Sequence, residues 1–284
     1  MSYLQILILA IIQGACELLP VSSSAHVIVA AKLMHQNASS PEMTMLLILL
    51  HTGTMFAVIV YFWKSWNRDY FSSPVMAKDF VIQVIVASGC TAVVYLVLNE
   101  LIKKVILRHA PQAEIEDLFD NLPLIATALA AVGLLIIYAG FREGKTGRSS
   151  DVALRHSVAI GIVQGFCIPF RGFSRSGSTI STGMLFGLPK RKLEEFSFAL
   201  AVVLTPAAIA REAHRLMKAH SLSHDSMMHL FTPGLIGMVF SFLAGLLALK
   251  WLSRWLEAGR WKFFGFYCLI AAAGVLFVHY KLGA

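Results

Sequence analysis

Apolar residues along this chain fall into runs of two lengths. Runs of about twenty residues match the ~30 Å hydrocarbon core of a bilayer crossed as a helix. They predict full spans at about 44–63, 79–98, 122–141, 194–210, 233–251 and 261–280. The shorter runs come in pairs. One covers about 4–19 and stops at Pro20, which cannot continue a helix, and a second follows at about 22–34. The other pair covers about 156–170 and 177–188, again with polar residues between the halves. Two half-length helices around a polar break predict a re-entrant pair that enters and leaves on one side. The expected fold is an all-α polytopic membrane protein with six transmembrane helices and two re-entrant pairs. It forms a single integral membrane domain over 1–284, with a first repeat at about 1–141 and a second at about 156–284.

The two breaks echo each other. Gln13-Gly14-Ala15-Cys16 opens the first, and Gln164-Gly165-Phe166-Cys167 opens the second. Since the two pairs enter from opposite sides in this layout, the halves form an inverted repeat. Such repeats bury their site at the midplane, with broken helices pointing their N-terminal ends inward. Free N–H groups and helix dipoles from the starts near 22–25 and 176–179 then favour an anion.

Composition supports the membrane assignment: 57% of residues are hydrophobic and 14% charged, against about a quarter charged in soluble domains. The net charge of +8 does not indicate nucleic acid, because Lys and Arg sit in short clusters between apolar runs. Of the 24 Lys and Arg, fourteen fall on the side of loops 64–78, 142–155, 190–192 and 250–262, and Lys190-Arg191-Lys192 closes the second pair. That side is expected to be cytoplasmic, with both termini outward. Trp63, Trp66 and Tyr70 are expected interface anchors, and 100–121 a solvated loop or surface helix. Cys16, Cys90, Cys167 and Cys268 lack CxxC spacing and are expected to be structural filler. The run 2–16 has no basic n-region or cleavage pattern, so it is not expected to be a removable signal peptide.

Polar groups inside the apolar runs are the candidates for chemistry. Glu17 and Arg175 lie at membrane depth, where charge is costly unless paired or used; a structural ion pair and separate catalytic roles are both open. In the catalytic case Arg175 offers a bidentate fork for phosphate oxygens. Ser174, Ser176 and Thr179 flank it as neutral donors, and Arg171 adds a second positive charge. His26 follows Ser22 and Ser23 by four and three positions, which on a helix brings both hydroxyls near the imidazole. A serine beside a base is an activated nucleophile. The alternative is that Ser22, Ser23 and Ser24 cap the helix after Pro20, the expected role for Ser24. Gln13 and Glu17 share a helical face, to orient His26 or to hold a divalent cation completed by phosphate oxygens. His51, Thr52 and Thr54 either line the site or are satisfied within their helix. His220 and His224 have metal-like spacing but no third ligand, so no metal is assigned there. Glu194 and Glu195 are expected to mark a helix start.

Through these motifs the sequence resembles the undecaprenyl-diphosphate phosphatases of the bacitracin-resistance type, membrane enzymes that recycle the lipid carrier of cell-wall synthesis. Gln13-x-x-x-Glu17 followed by Pro20-Val21-Ser22-Ser23-Ser24-Ala25-His26 is similar to that family's (E/Q)xxxE and PVSSxxH signature. Gly172-Phe173-Ser174-Arg175-Ser176-Gly177-Ser178-Thr179 is similar to its PGxSRSxxT signature. The resemblance covers essentially the whole chain. It implies six spans with two re-entrant pairs in the bacterial plasma (inner) membrane and an active site open to the periplasm. The implied reaction is loss of the terminal phosphate from a polyprenyl diphosphate lipid, commonly helped by Mg or Ca ions. Glu17, Ser23, His26 and Arg175 match the catalytic positions, with Ser22, Ser174, Ser176 and Thr179 around the diphosphate. Arg171 stands where the family has proline, and Pro169 lies two positions earlier, so the second break is expected to start sooner. The competing expectation is a transporter or flippase of a polyprenyl phosphate using the same anion site. A second copy of the chain, as a homodimer, stays open as a partner.

Overall fold

The computed structural model describes residues 1–37, 40–105, 121–143, 151–218 and 224–282, the side chains of 215–218, 224–230 and 282 excepted. Among the described residues all regular structure is helical. In chain order the helices are α1 (Tyr3–Leu18), α2 (Ser23–Leu33), α3 (Pro41–Asp69), α4 (Pro74–Val105), α5 (Leu122–Arg142), α6 (Leu154–Cys167), α7 (Arg175–Leu185), α8 (Lys190–Lys218), α9 (His224–Glu257) and α10 (Trp261–Leu282). Six of them, α3, α4, α5, α8, α9 and α10, are long and apolar enough to cross a membrane. The other four form the two short pairs.

Every expected span is present, and each is longer than its apolar run because polar ends extend it. Helix α3 starts at Pro41 behind Ser40, whose hydroxyl accepts from the Met43 N–H at 3.2 Å, an arrangement that satisfies an otherwise orphaned donor. It continues to Asp69 because Trp66 is buried and donates its indole N–H to the Glu195 carbonyl at 3.2 Å. Trp66 is therefore a tertiary contact and not an interface anchor. Tyr70 is likewise buried and stacks on Phe80, whereas Trp63 stays exposed. Residues 100–105, expected in a solvated loop or surface helix, continue α4 to its end at Val105; the acidic run beyond them lies outside the described residues.

Lys190-Arg191-Lys192 does not close the second pair but opens α8, ahead of the expected start at Glu194. Three cations at a helix N-terminus oppose the dipole, and nearby acids compensate. Lys190 pairs with Glu143, Lys192 with Asp151, and Arg191 with Asp69 at 2.7 Å and Glu195 at 3.0 Å. Of the two histidines with metal-like spacing, His220 lies outside the described residues and only the backbone of His224 is described.

The helices pack with an internal correspondence. Helix α1 lies against α9 as α6 lies against α4; α7 lies against α5 as α2 lies against α10; and α5 packs along α10 and α3 along α8. Exchanging the first five helices with the last five maps these contacts onto each other. The Gln-Gly echo serves this packing. A Cβ on Gly14 would stand 2.4 Å from the Ser241 carbonyl oxygen on α9, and one on Gly165 would stand 2.6 Å from Val94 Cβ on α4. Within a bilayer, helices associate by such close approach of backbones, not by hydrophobic burial.

Candidate active site

Helix α1 ends just before Pro20, and its last turns carry Gln13 and Glu17 on one face, where Gln13 Nε2 donates to Glu17 Oε2 at 3.1 Å. The chain then turns through Ser22, the N-cap of α2, at φ 65°. This left-handed conformation is strained for a residue with a side chain, and such strain is most often kept at functional sites. Ser22 makes no side-chain capping bond to α2, so capping does not explain the serine cluster. Ser23 instead donates its hydroxyl to Glu17 Oε2 at 2.6 Å.

The second break runs from Ile168 to Ser174 and begins ahead of Pro169, as the displaced proline suggested. Gly172 sits in it at φ 101°, where a Cβ would meet the Ile125 carbonyl oxygen at 2.3 Å. Ser174 caps α7, accepting from the Gly177 N–H at 3.2 Å. Arg175, the first residue of α7, donates through Nη2 to Glu17 Oε1 at 3.2 Å and through Nη1 to the Ser197 carbonyl at 3.4 Å. Ser176 donates to the Leu19 carbonyl at 3.3 Å. The breaks thus meet, with Glu17 holding Ser23 on one oxygen and Arg175 on the other.

These groups form the floor of a cavity of about 770 Å3. Gln13, Glu17, Ser22, Ser23, Ser24, Arg171, Ser174, Arg175 and Ser176 all line it. The walls above include Leu47 and Ile48 of α3 and Ala201, Leu204 and Ala208 of α8, and Arg211 and Glu212 line its far end. From Ser197, which Arg175 touches, to Arg211 is about 21 Å along α8 at ~1.5 Å per residue. That end lies by the start of α3 and the end of α8.

Two expected site residues are not in the cavity. The spacing placed His26 beside Ser22 and Ser23 as a base, but its Nδ1 lies 2.8 Å from the Ser22 carbonyl and its Nε2 2.7 Å from the Tyr267 hydroxyl of α10. A carbonyl only accepts, so Nδ1 carries the hydrogen and donates to it while Nε2 accepts from the Tyr267 hydroxyl; both nitrogens are engaged away from Ser23. Thr179 is buried and bonds the Arg175 carbonyl at 2.8 Å and Ser197 Oγ at 2.6 Å, fastening α7 to α8. Conversely, Tyr95 and Arg211 line the wall, with Arg211 Nη1 donating to the Tyr95 hydroxyl at 2.7 Å. Sequence offered no signal for that pair, since Arg211 reads as the first residue of a hydrophilic stretch. His51, one of the residues with two open readings, lines the floor with Nε2 3.7 Å from Glu17 Oε2; Thr52 and Thr54 bond carbonyls of their own helix.

The donor set does not make a resident cation site. Among the described residues no three His, Cys, Asp or Glu side chains converge, and both oxygens of Glu17 already accept hydrogen bonds, one of them from a guanidinium. A magnesium ion would find one carboxylate here and would need phosphate oxygens for most of its shell.

Residues 6–274, which include both breaks, match the family described as bacitracin resistance protein BacA. Undecaprenyl-diphosphatase 2 of Acinetobacter baylyi is 54% identical over 280 residues, covering 97% of this chain and 98% of that protein. Undecaprenyl-diphosphatases of Rhodopirellula baltica and Korarchaeum cryptofilum are 32% and 30% identical, each over 97% of this chain and over 96% and 99% of their own lengths. The chain that joins Glu17, Ser23 and Arg175 across two helix breaks therefore belongs to the BacA bacitracin resistance family.

Proposed function

We propose that the protein is an undecaprenyl-diphosphate phosphatase, which removes the terminal phosphate of the lipid to give undecaprenyl phosphate and so recycles the cell-wall carrier. The observation that carries the proposal is the Ser23 hydroxyl hydrogen-bonded at 2.6 Å to Glu17, whose other oxygen meets Arg175. In the proposed reaction the diphosphate lies between the breaks, held by Arg175, by the hydroxyls of Ser22, Ser174 and Ser176, and by the N-terminal N–H groups of α2 and α7. Arg171 adds charge at the wall. Ser23 attacks the terminal phosphorus, Glu17 takes its proton, and prenyl phosphate leaves. Water then frees the phosphate from Ser23. Charge stabilisation and positioning carry most of the rate, because phosphoryl transfer leaves a protein little covalent work.

The same proposal assigns the membrane layout. The two short pairs are re-entrant and the halves form an inverted repeat, supported by the exchange symmetry of the helix contacts. The cavity opens to the periplasm, supported by the excess of Lys and Arg on the opposite side. Its apolar walls suit the first isoprene units. A Mg or Ca ion is proposed only as a partner of the bound diphosphate, with no step assigned to it.

Phosphate release from prenyl diphosphates by the purified protein tests the activity. Release that is lost in Ser23→Ala and Arg175→Ala is expected. Lipid crossing vesicles without phosphate release would overturn it in favour of a transporter.

A further inference from the structure

We propose that His51 is the base for the second half-reaction, taking the proton from the water that hydrolyses phosphorylated Ser23. This rests on the covalent reaction proposed above. His51 Nδ1 lies 2.7 Å from the Leu47 carbonyl. Since a carbonyl can only accept, Nδ1 carries a hydrogen and Nε2 is the ring nitrogen turned toward the site. That nitrogen faces Glu17 Oε2 at 3.7 Å, the same oxygen that accepts from Ser23 at 2.6 Å. The separation is too long for a direct hydrogen bond and is of the kind bridged by a water. The His51 side chain is 38% exposed and lines the cavity, so water and product phosphate reach it.

Proton bookkeeping calls for a second base at this place. In the first step Ser23 Oγ bonds to the terminal phosphorus, the bond from phosphorus to the bridging oxygen breaks, and prenyl phosphate leaves with that electron pair. The serine proton passes to Glu17, which then cannot accept another. In the second step a water oxygen bonds to phosphorus and its proton passes to His51 Nε2. The bond from phosphorus to Oγ breaks, and Ser23 recovers its proton from Glu17. Inorganic phosphate leaves, and His51 returns its proton to solvent through the cavity. The other imidazole near the breaks, His26, is committed to Ser22 and Tyr267. A purely structural His51 would need its bond to Leu47, four residues back on its own helix, and the carboxylate of Glu17 3.7 Å from its Nε2; its loss would then lower labelling and release together.

The experiment uses the purified full-length protein and a prenyl diphosphate labelled with 32P in the terminal phosphate. His51→Gln is expected to phosphorylate Ser23 at the unmodified protein's rate, to accumulate the labelled enzyme, and to release phosphate ~100-fold more slowly, the low end of general-base effects. His51→Ala is expected to behave alike and to regain release when imidazole is added. Should His51→Ala fail to fold, accumulation of label in His51→Gln decides. Phosphate release at the unmodified rate in His51→Gln, an equal loss of labelling and release, or no effect of imidazole on folded His51→Ala would each overturn the assignment. Ser23→Ala that still turns over would instead refute the covalent reaction itself, so the two failures are distinguishable.

Discussion

The carboxylate between Ser23 and Arg175 is the most informative place to perturb the site. Glu17→Gln keeps the shape of the side chain but replaces one acceptor oxygen with a donor. In the structure Oε2 accepts from Gln13 and Ser23, and Oε1 accepts from Arg175. Whichever oxygen becomes the amide NH2, it faces at least one existing donor, and the remaining oxygen is a poor base. Loss of the proton acceptor is expected to lower kcat by ~10²–10⁴-fold, or about 3–5 kcal/mol in the barrier. Loss of the ion pair adds about 1–2 kcal/mol of destabilisation, less than for a fully dry pair, because 21% of the Arg175 side chain and 19% of Glu17 remain exposed. KM is expected to change little or to fall, since a negative group beside the diphosphate is removed. Steady-state phosphate release in detergent measures both constants, and a thermal melt reports the folded fraction. A Glu17→Gln protein that keeps more than about a tenth of its turnover would refute Glu17 as the acceptor of the serine proton.

Other perturbations separate the remaining roles. Arg175→Lys keeps the charge but not the fork, and kcat/KM is expected to fall ~10²–10³-fold, read by the same assay in folded protein. His26→Ala and Tyr267→Phe are expected to resemble each other, each costing about 1 kcal/mol of stability, the net value of one hydrogen bond, because Tyr267 is 45% exposed and water can replace the lost partner. Both should leave most of the turnover of the folded protein, and complete loss in His26→Ala alone would restore His26 to the chemistry. Gly14→Ala and Gly165→Ala force a Cβ into the α1–α9 and α6–α4 contacts and are expected to lower the thermal midpoint through about 1–3 kcal/mol of overpacking. Chelation without substrate is expected to leave that midpoint unchanged, and a marked drop would reveal a resident ion.

The fold was largely legible because a bilayer imposes a length on its helices. Leu122 to Phe141 read correctly almost to the residue, since Asn121 caps the N-terminus through its side chain and the apolar run stops where the helix stops. The expected ends were wrong where polar residues continue a helix for tertiary reasons. Hydropathy ended the first full span at Trp63 and left Arg68 and Asp69 in a loop, yet α3 reaches Asp69 because Trp66 and Asp69 both bond residues of α8. Lys190 to Lys192 look like a terminator from sequence alone, because the acids that neutralise them come from α3, from the end of α5 and from the segment before α6.

Most of the candidate residues lie together in one cavity, but their hydrogen-bond partners were not legible from sequence. The echo of the two Gln-Gly openings correctly brought Glu17 and Arg175 together, since a carboxylate and a guanidinium at membrane depth have few other ways to be neutralised. Ser23 and His26 do not hydrogen-bond to each other in the structure, for a local reason. Spacing of three or four positions juxtaposes side chains only when both residues belong to a regular helix, and Ser22 leaves helical geometry at φ 65° while Ser23 is the first residue of α2. A side chain at a helix start leans back over the turn that precedes it. For Ser23 that direction is the first break, where the end of α1 presents Glu17. His26, one turn further on, meets the carbonyl of Ser22 and the phenol of Tyr267, a residue 241 positions away that no local pattern connects to it. Helical periodicity therefore pairs the serine with an imidazole, whereas the strained turn at Ser22 brings the Ser23 hydroxyl to the Glu17 carboxylate.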